Sequence, residues 1–265
     1  MSLFYRYDKE GPGVRKDEPK KKPFFEFFEI FFRYAWKLIP TNFLYWLIFL
    51  VPCGFSAVGM TYVTRSISRG KHTFGVSDFF EAIKKNLKQA ISIGLINNVL
   101  TFLMLIAIRF YFNLAATGNT VGLLSLGISA FILVYFSIMK FYIWFMVITF
   151  DFKTSQLYKN AFRFVIINLK NNAVMLLGIA AYWALNIGLL IVSGYSGFVV
   201  SVLVCLLLFF YPTFYYLLVS FGVFESIKKC IIDPYYEEHP DADKELRRSL
   251  GIETGDEEDE GIFDM

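Results

Sequence analysis

The sequence predicts an all-α fold, a polytopic transmembrane helical bundle with six membrane segments. The segments form three hairpins, each preceded by an amphipathic interfacial helix. Apolar residues make up 56% of the 265 positions and charged residues only 18%, whereas about a quarter of a soluble domain is charged. The 54 residues from 171 to 224 contain no charged side chain, although helices of a soluble core still present a polar face to water. Because about 20 apolar residues cross a bilayer, this stretch is long enough for two crossings.

The first unit follows a polar leader, residues 1–22, which we expect to be cytoplasmic and basic. From Pro23 onward, phenylalanine occupies most apolar positions, and the charged residues fall on one stripe at spacings of three and four: Glu26, Glu29, Arg33 and Lys37. A narrow charged stripe opposite apolar bulk is typical of a helix in the membrane interface. The first membrane segment is predicted at about 24–51. Pro52 ends it, and a shorter segment at about 55–67 returns to the cytoplasm as a short or partly re-entrant helix.

The second and third units repeat this order. An amphipathic helix is predicted at about 78–89, with Asp78 as its cap, and another at about 156–170. The four membrane segments that follow these helices in pairs lie at about 90–112, 121–150, 173–192 and 197–224. The tripeptide Asn-Leu-Lys stands near the end of both amphipathic helices, at 86–88 and at 168–170. This repetition indicates similar units in the same orientation.

The distribution of lysine and arginine predicts the topology. The basic connections at 64–88 and 151–172 alternate with connections at 113–120 and 193–197 that contain neither residue. Cytoplasmic connections carry the excess of basic residues. We therefore expect a multi-pass protein of the plasma membrane, with a transmembrane domain over 23–230 and both termini cytoplasmic. Residues 231–265 are acidic and too poor in apolar residues to pack, so we expect them to form a disordered cytoplasmic tail.

No pattern of residues indicates catalysis. The three cysteines and two histidines are far apart in the sequence, which does not fit a metal site or a disulfide framework. Glycine-rich phosphate loops and the common hydrolase and zinc motifs are also missing from the sequence. We therefore predict a protein that is not an enzyme, with no catalytic, cofactor-binding or metal-binding residues, no cofactor and no nucleic-acid partner.

Polar residues inside the predicted spans are the first candidate site, because polar groups in a membrane are costly. They are Asn97, Asn98, Lys140 and Asn186. Under a transport hypothesis they line a path for a polar solute. Alternatively, the asparagines form bonds between helices and the lysine extends toward the cytoplasmic surface.

Basic residues near the predicted interface are the second candidate site. Lipid contact is predicted for six lysines, Lys20, Lys21, Lys22, Lys84, Lys85 and Lys88. Each basic charge near an anionic membrane surface contributes about 1 kcal/mol. The alternative is that these residues only set the orientation of the chain.

Short motifs in the first hundred residues carry a family resemblance. They include Glu-Gly-Pro-Gly at 10–13, Gly-Met-Thr-Tyr-Val at 59–63, Ser-Asp-Phe-Phe at 77–80 and Asn-Leu-Lys-Gln-Ala at 86–90. The chain here resembles the YesL family of bacterial integral membrane proteins, a family of unknown function found largely in Gram-positive bacteria. The resemblance implies a multi-span protein encoded beside carbohydrate ABC transporters and glycan-degrading enzymes, with a role in sugar uptake and no established catalytic residues.

Three functions remain open from the sequence, and one of them is a lipid-interacting protein that organises the membrane. The leading interpretation is an accessory or scaffold protein that assists a carbohydrate import system, with the lipid bilayer and ABC-transporter membrane subunits as its partners. The predicted external surface is too small to capture solute, which favours this interpretation. The alternative is a stand-alone transporter of a small solute such as a sugar.

Overall fold

The computed structural model describes residues 23–238, and all regular structure within this range is helical. The helices are α1 (Pro23–Tyr34), α2 (Ile39–Phe49), α3 (Phe55–Ser68), α4 (Val76–Lys85), α5 (Leu87–Ala116), α6 (Thr120–Val147), α7 (Thr154–Ile167), α8 (Leu169–Val192), α9 (Gly197–Phe209), α10 (Tyr211–Ile227) and α11 (Asp233–Glu238). A π-helical turn, Lys228–Ile232, joins the last two. The all-α prediction is confirmed over the described range. The basic leader, with Lys20, Lys21 and Lys22, and the chain after residue 238 lie outside the described residues.

Three helices, α5, α6 and α8, are each long and apolar enough to cross a membrane alone. With a rise of 1.5 Å per residue, the shortest of them, α8, is about 36 Å long, and a bilayer core is about 30 Å thick. Helices α9 and α10 make a fourth crossing if they are taken as one span, bent by 47°. The protein is therefore a helical membrane protein with three or four candidate spans. The six-segment arrangement also requires α2 and α3, which have only 11 and 14 residues, and it stays a prediction.

The long helices present apolar side chains to the outside. Phe102 on α5, Phe131 on α6 and Leu177 on α8 are 64%, 67% and 68% exposed. Helix α9 consists almost entirely of apolar residues, and none of them is buried within the protein. Continuous apolar surface of this extent is typical of contact with lipid or with another membrane-embedded surface.

The centre of the fold is α3, which packs against α2, α4, α6 and α10. Nine of its 14 residues are buried. Small residues such as Ser56 and Ala57 allow its neighbours to approach closely. At Gly59, an added Cβ would lie 2.4 Å from the ring of Phe79 on α4, so only glycine fits this contact. The shortest predicted segment is therefore the most enclosed helix in the described part of the chain.

Two apolar clusters form the core around α3. The larger is centred on α6, where Tyr142 and Phe145 are fully buried, and the smaller joins α1, α3 and α4 around Met60. Helix α10 contributes Val223 to the first and Leu217 to the second. Its contacts with both clusters hold the two halves of the bundle together.

The predicted segments 24–51 and 197–224 are each divided into two helices. The first is interrupted between α1 and α2, and the second at Phe210 between α9 and α10. In both cases a proline, Pro40 or Pro212, occupies the first turn of the following helix. A proline has no N–H to donate to the carbonyl four residues earlier, so it fits the first turn of a new helix but not the interior of a continuous one.

Helix α4 begins at Val76, two residues earlier than predicted, and the prediction that Asp78 is its cap residue is wrong. The cap is Gly75, whose positive φ of 53° turns the chain into the helix. Asp78 is instead in the first turn, where its Oδ2 accepts the N–H of Phe74 at 2.9 Å. Glycine adopts a positive φ at little cost, so it sets the start of the helix.

The first eight residues of the predicted disordered tail, 231–238, are helical. The reason is packing, because Ile232 is only 3% exposed and belongs to the larger apolar cluster. The burial of Ile232, with the partly buried Ile231 packed against the same cluster, accompanies the continuation of the helix beyond the predicted end of the membrane domain.

The amphipathic helices α4 and α7 are each joined to the next helix through one residue, and α1 is joined to α2 through residues 35–38. Leu38, Asn86 and Asn168 stand at the junctions, with φ, ψ values of −94°, 3°; −110°, 21°; and −108°, 40°. At each junction the backbone N–H still donates to the carbonyl four residues earlier. The chain thus changes direction without leaving a backbone donor unpaired. The repeated Asn-Leu-Lys motif starts at two of these junctions.

Candidate functional site

A cavity of about 320 Å³ lies between α2, α3, α5, α6 and α10, beside the turn that joins α2 to α3. Three of the four polar residues predicted to line a path, Asn97, Asn98 and Lys140, line this cavity. Two of them belong to α5 and one to α6, so the packing of these helices brings them together. This volume is at the small end of the range of ligand pockets, about 300–1,000 Å³.

Two glycines allow the α2–α3 turn to close one side of the cavity. The N–H of Gly54 donates to the carbonyl of Ala90 on α5 at 2.9 Å. An added Cβ at Gly94, one turn further along α5, would lie 2.0 Å from the backbone nitrogen of Gly54. At Gly54 it would lie 2.0 Å from the ring of Trp144. Backbone contact of this kind is possible only with glycine, and it fixes the position of the turn.

Aromatic side chains form most of the remaining wall, namely Tyr45, Phe49, Trp144, Tyr211, Tyr215 and Tyr216. The tyrosines pack edge to face, with ring centroids 4.9 Å apart for Tyr215 and Tyr216 and 5.6 Å apart for Tyr45 and Tyr216. Such a wall offers flat apolar faces together with hydroxyl groups that both donate and accept hydrogen bonds.

Lys140 supplies a positive charge to the cavity. Its Nζ lies 3.5 Å from Thr101 Oγ1, at the limit of a hydrogen bond, and 5.6 Å from the ring centroid of Phe136. No acidic residue lines the cavity, and within residues 23–238 no carboxylate forms an ion pair with this ammonium group. The group therefore retains donors for an acceptor that enters the cavity.

Asn97 supplies a second free donor. The residue is only 3% exposed, and its Oδ1 accepts the hydroxyl of Tyr158 at 2.7 Å. Its Nδ2 is buried and has no hydrogen-bond partner. Buried polar atoms are almost always hydrogen-bonded, so an unpaired amide at a cavity wall indicates a place for an acceptor. Asn98 also lines the cavity and is exposed.

The bond from Tyr158 connects the amphipathic helix α7 to the cavity wall. Burial raises the pKa of Tyr158 to about 12. The phenol is protonated at neutral pH, and its hydroxyl donates to Asn97 Oδ1. With the amide oxygen paired in this way, the amide nitrogen is the polar atom of Asn97 that has no partner.

The lining of the cavity is rich in hydrogen-bond donors and aromatic faces. A lysine and an amide nitrogen offer donors, the tyrosines offer hydroxyls and aromatic faces, and no carboxylate is present to act as a base. In the described part of the chain, no three histidine, cysteine, aspartate or glutamate residues are close enough together to hold a metal ion. A small solute rich in acceptor atoms fits this chemistry.

The other predicted site residues lie elsewhere. Asn186 donates through Nδ2 to the carbonyl of Tyr182 in its own helix at 2.7 Å and lines a separate, largely apolar crevice between α8 and α9. Lys84 and Lys85 are exposed on α4, and Lys88 is exposed at the start of α5. The structure therefore groups three of the four polar candidates and leaves the basic set on the surface.

The aromatic wall and the two glycines were not predicted as site residues. Tyr211 and Tyr215 are four residues apart and follow one face of α10, which is a pattern that could have drawn attention to them. The sequence does not show that these two tyrosines line the cavity, because their position depends on the bend at Phe210. This bend turns their face of α10 toward α3 and α6.

Part of the chain matches a known protein family. A family model described as "Protein of unknown function, DUF624" matches residues 38–108, about a quarter of the chain. No curated protein and no solved structure has a significant match. The matched region runs from the start of α2 into α5 and includes Gly54, Gly94, Asn97 and Asn98, but not Lys140 or the tyrosines of α10.

Proposed function

We propose that this protein binds a small, acceptor-rich solute within the plasma membrane and acts in solute import. One observation carries the proposal: the Lys140 ammonium and the buried Asn97 amide nitrogen line the same cavity without an acidic partner. An unpaired charge inside a bundle is costly. A solute that supplies hydrogen-bond acceptors to these two groups offsets this cost.

The chemistry of the wall narrows the class of solute. Two donors favour hydroxyl, carboxylate or phosphate oxygens, and the tyrosine and tryptophan faces favour a compact ring with an apolar face. A carbohydrate or a sugar derivative combines these features. The resemblance to the YesL family, with its link to carbohydrate uptake, supports the same class by association.

The topology proposed for this function has six membrane segments. In this arrangement α2 and α3 form a short pair, α5 and α6 a second, and α8 with the bent α9–α10 a third, and both termini are cytoplasmic. The connections at 117–119 and 193–196 are short and contain no lysine or arginine. The excess of basic residues in the other connections supports their cytoplasmic location.

Binding to the purified protein in lipid nanodiscs tests the proposal. A panel of monosaccharides, sugar phosphates and small carboxylates is titrated while the intrinsic tryptophan fluorescence, to which Trp144 in the cavity wall contributes, and the melting temperature are recorded. We expect at least one solute to bind to the wild type, and Lys140→Met and Asn97→Ala to weaken it by about tenfold or more, since hydrogen bonds to a charged group contribute about 1.5–3 kcal/mol. Lys85→Met, which removes the same charge from the exposed surface, serves as the control. Failure of the whole panel to bind, or equal binding by all variants, would refute the proposal.

An accessory role in a carbohydrate importer is the second candidate. It is favoured by α9, an apolar helix with no residue buried within the protein, which can pack against a membrane subunit of an ABC transporter. Co-purification in mild detergent should then recover transporter subunits, whereas a clean homogeneous protein would count against this role. Solute flux in liposomes with the purified protein alone would instead favour the stand-alone transporter.

A further inference from the structure

Three cations gather at the C-terminal end of α3, far from the proposed solute cavity. They are Arg65 in the last turn of the helix, Arg69 directly after it and Lys71 in the following connection. The connection carries no acidic residue between Arg65 and Ser77. We refer to these three residues as the α3 cation cluster.

Arg65 is fixed in place by neutral partners. Its Nη1 donates to the carbonyl of Ile148 at 3.0 Å and to Thr149 Oγ1 at 2.7 Å. These bonds tie the end of α3 to the end of α6 and position the guanidinium group. They do not neutralise its charge, because both acceptors are uncharged.

Arg69 is the anomalous member of the cluster. Its guanidinium group lies 4.0 Å from the ring centroid of Phe224 on α10. All three of its side-chain nitrogen atoms are buried, and none has a hydrogen-bond partner. The five N–H donors of an arginine are rarely left unpaired in a protein interior. The stacking contact with Phe224 holds the plane of the group but uses none of these donors.

The three charges oppose one another. Burial lowers the pKa of Arg69, and the charge of Arg65 lowers it further. For Lys71, which is exposed, burial and the charges of both arginines lower the pKa in the same direction. Within residues 23–238, no ion pair with a carboxylate relieves this repulsion. The cluster is therefore a concentration of positive charge that an anion would stabilise.

We propose that the α3 cation cluster binds a phosphate group, either the headgroup of an anionic phospholipid or a free phosphate. A planar guanidinium group binds two phosphate oxygens at once, and a lysine adds a compact second charge. Lys71 gives the anion its first contact from the aqueous side. Arg69 then turns from the Phe224 ring to pair with it, while Arg65 stays fixed by Ile148 and Thr149.

The position of the cluster suits such a ligand. It lies in the basic connection between α3 and α4, where the exposed aromatic ring of Phe74 is 74% accessible. Basic pockets between membrane helices at the cytoplasmic surface bind phospholipid headgroups. This inference does not rest on the solute cavity, which lies at the opposite end of α3 and uses different residues.

Binding to the full-length chain in nanodiscs of phosphatidylcholine tests the proposal. One arm adds phosphatidic acid at increasing mole fraction, and the other adds inorganic phosphate at constant ionic strength. The increase in melting temperature measures affinity in both arms, and native mass spectrometry counts the lipids retained. The variants are Arg69→Gln and Lys71→Gln. Lys159→Gln and Arg163→Gln, which remove a positive charge from the exposed face of α7, are the matched controls.

We expect the wild type to be stabilised by one or both phosphate sources. Arg69→Gln should weaken the response about tenfold or more, and Lys71→Gln by a smaller factor, because a guanidinium pairs with two oxygens and an ammonium acts as a point charge. An increase in melting temperature in the lipid arm alone identifies a headgroup site. An increase in the phosphate arm alone identifies a free-phosphate site. An increase in both arms identifies a site for the phosphate group itself.

Two outcomes would overturn the inference. In the first, neither phosphate source stabilises the wild type beyond the phosphatidylcholine baseline. In the second, the α7 control variants lose as much affinity as the cluster variants, which would indicate non-specific surface charge. If Arg69→Gln does not fold, the exposed Lys71→Gln variant still decides between these outcomes.

Discussion

Single hydrogen bonds between helices define the interior of this protein at the residue scale. The Tyr142 hydroxyl donates to Asn172 Oδ1 at 2.7 Å, and Asn172 Nδ2 donates to the carbonyl of Val165 at 3.0 Å. Asn42 pairs in a similar way with Thr213 on α10. The sequence could indicate that asparagines in apolar surroundings need partners. It could not indicate which of them would pair fully and which, like Asn97, would keep an unpaired nitrogen.

Removal of the Tyr142 hydroxyl should destabilise the bundle. In Tyr142→Phe the buried Oδ1 of Asn172 loses its donor, and an unpaired buried acceptor costs about 1–3 kcal/mol. We expect a lower melting temperature in detergent. Tyr195→Phe is the control, since this tyrosine is 68% exposed in the α8–α9 turn. Equal stability of both variants would show that the buried bond contributes nothing.

Removal of the Lys140 charge should not destabilise the protein in the absence of solute, in contrast to removal of the Tyr142 hydroxyl. Because no carboxylate in the described chain pairs with this lysine, Lys140→Met removes a desolvated charge and leaves no unpaired partner behind. We expect the melting temperature without solute to stay the same or to rise, while solute affinity falls. A marked loss of stability without solute would indicate that the lysine has a structural role.

Helix junctions and close helix contacts decide how the elements are arranged. The sequence predicted the amphipathic helices and the long apolar helices to within a few residues, because hydropathy and charge periodicity record them directly. It did not predict that α3 is the central helix, since burial on all sides depends on neighbours that are distant in the chain. It also missed the bend before α10, although Pro212 marks its position.

Close packing of α5 on the α2–α3 turn gives a prediction at the level of the element. Gly94→Ala places a Cβ 2.0 Å from the backbone nitrogen of Gly54, and backbone cannot move aside as a flexible side chain can. We expect a loss of about 1–3 kcal/mol from overpacking, together with a changed solute cavity.

Gly127→Ala on α6 is the matched control. An added Cβ there meets nothing within 4 Å, and alanine favours a helix over glycine by about 0.5–1 kcal/mol. This variant should be neutral or slightly more stable in the same thermal measurement. Similar losses for both variants would show that the α5 contact is not the cause.

At the scale of the whole molecule, this helical membrane protein buries polar side chains at a few positions among its apolar residues. The sequence was sufficient to predict a membrane protein, because a long uncharged stretch leaves hydrocarbon as the only suitable solvent. Only some of the residues that line the cavity could be predicted. Asn97, Asn98 and Lys140 stood out as polar residues in apolar spans, whereas Tyr211, Tyr215 and Tyr216 lie in the uncharged stretch and gain their role through tertiary packing.

The sidedness of the basic connections is the most direct test at this scale. Single cysteines are introduced at Lys84, Lys159, Thr117 and Ser196, which are all exposed, in a full-length chain whose three native cysteines are replaced by serine. Labelling of intact cells with a membrane-impermeant reagent then reports the side of each position. We expect the cysteines at 84 and 159 to be protected in intact cells and those at 117 and 196 to be labelled. Labelling of 84 and 159 from opposite sides of the membrane would contradict the six-segment topology and the solute-binding function proposed with it.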